Sequence, residues 1–206
     1  MAEETSPADS ERRRGRRRSA RSHEAVLAAT IAMIGETGYI DLTLEAIATR
    51  AGVSRATIYR WWPSKASLVI DALDKVIPKS GAVSTGDTRA DVRAVIQATL
   101  DHYILTPFGP NLAVLASDAV GDPEATARLV DLFGPRRAAD GSVLLAAAGR
   151  GDLPHNVDVN LVLDIVLGTL IFRELVGVRP DDRIVDQLTD LIVGGKPPRT
   201  PPRSDN

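Results

Sequence analysis

The chain has 206 residues, 44% of apolar types and 25% charged, with no cysteine and a formal net charge of -2. That length is ample for a buried core in one or two small domains, and the missing cysteine excludes a disulfide scaffold, a thiol nucleophile and cysteine-ligated zinc or iron–sulfur sites. No run approaches the ~18 apolar residues a membrane helix needs and no apolar signal segment opens the chain, so it reads as a soluble, cytoplasmic protein with no membrane partner.

The small net charge conceals a strong asymmetry. Residues 1–11 carry -4, residues 12–65 carry +7 and the remainder carries -5. A basic block confined to one end points to a polyanionic partner, where the overall charge alone would argue against one. Its first part is the run Arg12-Arg13-Arg14-Gly15-Arg16-Arg17-Arg18. Like charges this dense repel one another, so residues 1–18 are predicted to be a disordered basic arm.

A first helix is predicted from Ser19 or Ser22 to Thr37, with Val26, Leu27, Thr30, Ile31, Met33 and Ile34 at helical spacing and Gly38 as its stop. Thr43 then reads as the N-cap of a short helix carrying Leu44, Ile47, Ala48 and Ala51. Gly52 ends that helix, Ser54 caps the next, and Pro63 stops it near Trp61. Ser64 opens a fourth helix through Leu68, Leu73 and Val76. Residues 78–88 are rich in turn formers and read as a linker. Helices are predicted beyond it over 88–105, 110–119, 123–133 and 136–149, the last two parted by Gly134 and Pro135. Two more cover 157–176 and 181–193, before a Pro-rich disordered tail over 197–206. No alternating pattern argues for strands. The fold class is all-α, with a DNA-binding unit over 19–76 and a helical domain over 77–196.

The stretch from Leu42 to Lys65 is two short helices joined by a tight Gly-containing turn, which is a helix-turn-helix. Ala48 is small where the helices cross, and Gly52 permits the positive φ such a turn needs. Ile47, Ala51, Val53, Ile58 and Trp62 form the inward set, leaving Arg55, Ala56, Thr57, Tyr59 and Arg60 outward. Arginine can pair with guanine in the major groove and small side chains can approach the thymine methyl. Tyr59, Thr43 and Lys65 suit phosphate oxygens, and Ser54 stands at the same helix end. Trp61 is left open between stacking on the sugar-phosphate backbone and completing the core. Arg16, Arg17 and Arg18 are placed in the adjacent minor groove, as basic arms are in other helix-turn-helix proteins.

Thr43, Ile47-Ala48, Ala51-Gly52-Val53-Ser54, Thr57-Ile58-Tyr59 and Lys65, following a first helix that ends at Gly38, make residues 19–76 resemble the DNA-binding domain of the TetR family of transcriptional regulators. The family often has phenylalanine where Trp62 stands and histidine where Trp61 stands. The first change keeps a buried aromatic ring, and the second leaves the role of Trp61 open. The resemblance implies a homodimer reading the two halves of a palindrome in double-stranded DNA. It also implies a C-terminal domain that dimerises through its last two helices and binds a small-molecule effector, which releases the operator. Repression is the default in such a family.

The helix from Val157 is apolar around most of its circumference and should be buried on more than one side. With the last helix it supplies a predicted dimer interface of Leu163, Val166, Leu167, Leu170, Ile184, Leu188 and Leu191. Arg173, Glu174 and Asp186 are candidates to pair at its rim. Effector contacts are sought among His102, Tyr103, Phe108, Asn111, Leu112, Leu115, Leu129, Phe133 and Leu144, each in competition with ordinary core packing. With so few aromatic residues, a mostly aliphatic pocket for a hydrophobic or amphipathic molecule is expected. No catalytic motif, cofactor fingerprint or metal-ligand spacing is present: His23, His102 and His155 are far apart. Asp118, Asp122 and Glu124 read as a helix cap, and Arg150-Gly151-Asp152 as a turn. The competing function is a sequence-tolerant DNA-coating protein that relies on the arginine run and has no ligand; a helical hydrolase that has kept a helix-turn-helix has no site to name.

Overall fold

A computed structural model describes residues 7–79 and 81–195, with side chains from Ser19 onward. The expectations for residues 1–6, for the tail over 197–206, and for the side chains of Arg16, Arg17 and Arg18 lie outside the described residues. Among the described residues there is no strand, and the all-α class stands.

Helix α1 runs Pro7–Asp41, so residues 7–18 are helical and not a disordered arm. Arginine is a good helix former, and extending an existing helix gains a hydrogen bond per residue without a nucleation cost. Gly38, at φ 75 and ψ 176, breaks the helical path where the sequence placed the stop. Helices α2 (Leu44–Ala51), α3 (Arg55–Tyr59) and α4 (Lys65–Val76) each begin at the predicted cap. Thr43 Oγ1 accepts from Ala46 N at 3.2 Å, Ser54 Oγ from Thr57 N at 3.2 Å and Ser64 Oγ from Ser67 N at 3.1 Å.

The C-terminal half consists of α5 (Thr88–Thr99), a π-turn over Leu100–Ile104, a 3₁₀ turn over Gly109–Asn111, α6 (Leu112–Ala119), α7 (Pro123–Gly149), α8 (Val159–Leu175) and α9 (Asp182–Gly194). Helix α7 is continuous through Gly134 and Pro135, where the sequence predicts a break. The proline ring frees only the carbonyl of Asp131, which stands on an exposed residue within reach of water, and Gly134 has no Cβ for the ring to strike. Leu132, Arg136, Val143, Leu144 and Ala147 are buried on both sides of the proline and keep the two halves in line.

One contiguous core unites both halves because α4 packs on α1 and on α7. Residues 82–85 of the predicted linker are tied down. Ala82 N donates to Asp140 Oδ1 at 3.2 Å, while Ser84 and Thr85 wrap the buried carboxylate of Asp91.

The interface predicted on the last two helices needs correction. Leu163, Val166, Leu170, Ile184 and Leu188 are buried within the protomer itself, Leu167 is half-buried, and Leu191 alone of the set is exposed. Helix α9 lies on α5 and spends its apolar face there, reinforced by Arg93–Asp186 at 2.9 Å and Arg89–Asp190 at 2.6 Å. Asp186 therefore pairs with α5 and not with Arg173 or Glu174. The apolar residues of α8 left in solvent are Leu161, Ile165, Phe172 and Leu175.

Candidate nucleic-acid interface

The exposed face of α3 is built from the turn that precedes it. Gly52 takes the left-handed conformation (φ 66, ψ 34), and its N–H, with that of Val53, closes on the last carbonyls of α2. Ile47, Ile58 and Trp62 are fully buried beneath α3, while Ala51 and Val53 pack half-buried at the edge. This anchoring leaves Arg55, Ala56, Tyr59 and Arg60 exposed, with Thr57 half-buried beside Ser54 Oγ at 2.9 Å. Arg55 is held by surface contacts alone, to Glu45 at 2.6 Å and to the Tyr59 hydroxyl at 3.2 Å. Such exposed pairs contribute little and are readily exchanged for another anion. Thr43 is exposed at the start of α2. Ser19, Ser22, Ser54, Thr57 and Arg60 surround a polar hollow of about 480 Å³ beside Gly52 and Val53.

Two predicted contacts sit differently. Lys65 donates to the Tyr39 carbonyl at 3.0 Å and lies 4.2 Å over the Tyr39 ring. The chain leaves its helical path at Gly38, so that carbonyl is free to take the ammonium, and Lys65 is engaged within the protein in place of a phosphate. Trp61 is half-buried against the core, edge-on to His23 (5.2 Å) and Trp62 (5.6 Å), with the Arg60 guanidinium 4.9 Å over its ring.

The junction between the helix-turn-helix and the C-terminal helices carries almost no signal in the sequence. Tyr39 is buried, its N–H donates to Asn111 Oδ1 at 2.7 Å and its hydroxyl donates to Asp118. Burial and that carboxylate push the phenol far above its ordinary value. Asn111, proposed as an effector contact, thus fastens α1 to the helix pair beyond it. Asp122 caps α7, accepting from Glu124 N and Ala125 N at 3.1 Å, as the sequence indicated. Arg128, absent from the sequence reading, reaches from α7 to Asp71 and to the Trp61 carbonyl. Its only readable signal is Glu124 four residues earlier, at 2.8 Å.

An apolar groove lies along α7 and the start of α8, with a volume of about 860 Å³. Leu129 and Phe133, two of the proposed effector contacts, line it, joined by Val130, Gly141, Leu145 and Val159, with Arg137 as its charged member. The other candidates do not line it. Phe108, Leu112, Leu115 and Leu144 are packed core, His102 is half-buried, and Tyr103 stands behind Phe133 with ring centres 5.3 Å apart. Burial pushes the Tyr103 hydroxyl up to about 12. Sequence periodicity marks the leucines and phenylalanines among them alike as apolar and cannot tell the groove wall from the layer beneath it.

Among the described residues no group of three His, Asp or Glu side chains is arranged to hold a metal ion, and no helix is long and apolar enough to cross a membrane.

A capped two-helix unit with an exposed arginine-bearing second helix, joined to a larger helical domain, is the architecture of a helix-turn-helix transcriptional regulator. Residues 26–72 match the family described as bacterial regulatory proteins, tetR family, and residues 82–192 match the tetracyclin repressor-like C-terminal domain. The chain belongs to the TetR family and is a DNA-binding transcriptional regulator of that class. It is 30% identical over 174 residues to the HTH-type transcriptional regulator Rv1556 of Mycobacterium tuberculosis, covering 82% of this chain and 84% of that protein. It is 29% identical over 187 residues to the DNA-binding transcriptional repressor TetR of Mycobacteroides abscessus, covering 87% and 94%. The crystal structure of the TetR family regulator SCO0332 superposes with a TM-score of 0.66 at 31% identity, covering 86% of this chain and 99% of that one.

Proposed function

We propose that this chain is a repressor that binds a palindromic operator as a homodimer and is released by a small hydrophobic or amphipathic molecule. The observation that carries the reading is the face of α3, where Arg55, Ala56, Tyr59 and Arg60 stand in solvent on a helix seated by three fully buried side chains. Arg55 is assigned to a base edge and Ala56 to a thymine methyl, while Thr43, Ser54, Thr57 and Tyr59 take phosphates and Arg60 tracks the backbone beside them. Arg16, Arg17 and Arg18, carried on α1, are assigned to the minor groove.

Dimerisation is supported by the exposed face of α8. Leu161, Ile165, Gly168, Phe172 and Leu175 recur at alternating steps of four and three, the spacing of a helix-pairing seam, and Phe172 and Leu175 are 62% and 65% exposed. A contiguous apolar face in water is a liability that a second copy removes. The effector is assigned to the α7 groove, whose size and apolar walls suit one small molecule. Release requires that the effector bind the non-operator conformation more tightly, since equal affinity for both shifts nothing. Repression accords with the similarity to a protein named as a repressor.

Binding-site selection from a random duplex library tests the reading. One palindrome with half-sites about one helical turn apart is the expected result. Retention without any motif, falling simply as salt rises, would overturn it in favour of the coating protein suggested by the arginine run.

A further inference from the structure

We propose that Arg128 of α7 is a positioning residue for DNA reading: it fixes the far end of the recognition helix from outside the DNA-binding domain. Helix α3 has only five residues, Arg55–Tyr59, so few of its backbone groups have partners inside the helix. Its orientation depends on whatever holds its two ends. Ser54 holds the first. The second continues into Trp61 and Trp62, whose N–H groups both close on the Ile58 carbonyl at 2.9 Å.

Arg128 grips this second end twice. One guanidinium nitrogen donates to the Trp61 carbonyl at 3.3 Å, and the other forms an ion pair with Asp71 of α4. The same Asp71 oxygen accepts the Trp62 indole N–H at 2.7 Å. A single carboxylate thus joins the buried anchor of α3 to a cation on α7. Both charged side chains are largely withdrawn from water, at 26% and 29% exposure, where such bonds are stronger than at the surface. Glu124 steadies the guanidinium from its own helix at 2.8 Å. The remaining Arg128 Nε is buried without a partner, a cost that an arginine free to swing into solvent would not bear.

The test uses the full-length protein and the sequence returned by site selection. Arg128→Gln is expected to weaken binding to that sequence by about tenfold or more, the scale of a charge-assisted hydrogen bond. The selected motif and the slope of log affinity against log salt should stay unchanged, because Arg128 neutralises no phosphate. Without DNA, the tryptophan emission of Arg128→Gln should move to longer wavelength, since both tryptophans of the chain sit at this contact. Asp71→Asn should reproduce these effects, and the double variant should be no weaker than either single one. Arg128→Lys, which keeps the charge but cannot fork, should bind between wild type and Arg128→Gln. It also keeps the question open to test if Arg128→Gln fails to fold.

Wild-type affinity in Arg128→Gln with only a lowered melting temperature would overturn the proposal and leave Arg128 as domain glue. A shallower salt slope would overturn it in favour of direct phosphate contact. The DNA readout rests on the operator reading, but the emission shift is measured without DNA. Failure of the wild type to select any sequence is therefore distinguishable from failure of the clasp.

Discussion

Asp91 shows what one side chain can organise. It is buried, and its carboxylate accepts from Thr85 N and Thr85 Oγ1 at 2.7 Å each and from Ser84 Oγ at 2.8 Å, with Arg150 at 3.5 Å. These bonds, the Thr85 backbone N–H first, hold its carboxyl at about 2 against an ordinary value of 3.8. A folded-state value below the unfolded one means a contribution to stability that is complete above the unfolded value and is lost as pH falls through the folded one. The melting temperature of the wild type should therefore drop between pH 4 and pH 2 more steeply than that of Asp91→Asn, which starts lower. Parallel curves would show that the carboxylate is not what folds the 84–86 segment. Residues whose signal is local were legible in the sequence: Gly52 by its turn, and Thr43, Ser54, Ser64 and Asp122 by their place before a helix. Tyr39 and Arg128 were not, because each acts on partners supplied by the fold, and no short spacing encodes a contact between residues 39 and 118 or 61 and 128.

At the scale of elements, the π-turn at Leu100–Ile104 sets how the chain returns from α5 toward α6. Gly109 lies so close beneath it that an added Cβ would stand 1.9 Å from the Ile104 carbonyl oxygen. Backbone cannot yield as a flexible side chain would. Gly109→Ala should cost about 3 kcal/mol or more in urea unfolding, the upper range for overpacking. Gly149→Ala, with nothing within 4 Å of its Cβ, should change stability by less than about 1 kcal/mol. Equal costs would mean that the turn can open without penalty. The sequence identified each helix beyond the linker but misplaced what joins them. A glycine-proline pair reads as a break, and only the burial of residues on both sides of Pro135 makes α7 one rod.

For the whole molecule, the arrangement of α8 decides how two copies would meet in the proposed dimer. The sequence identified α8 as apolar around its circumference, and for that reason could not say which side faces inward: a helix without a polar face carries no orientation signal. The structure spends Leu163, Val166 and Leu170 on the protomer's core and leaves Leu161, Ile165, Phe172 and Leu175 outside. Phe172→Glu should leave folding intact and shift the protein toward a monomer in sedimentation. It should also lower affinity for a palindrome at least about tenfold, since each half-site is then bound alone. Leu163→Glu should instead unfold the chain, a charge without a partner in a packed interior. An unchanged dimer in Phe172→Glu would move the pairing surface to another face.

The α7 groove has a consequence in time. Val130 and Leu145 on its walls are 65% and 59% exposed, so the proposed effector, bound there, would remain in touch with bulk water. In so open a groove, its arrival would be set by collision and its departure by the contacts made, and occupancy would follow the surrounding concentration down as promptly as up. A regulator that bound its effector this way would keep no memory of an earlier exposure: control would return as soon as the signal had been cleared.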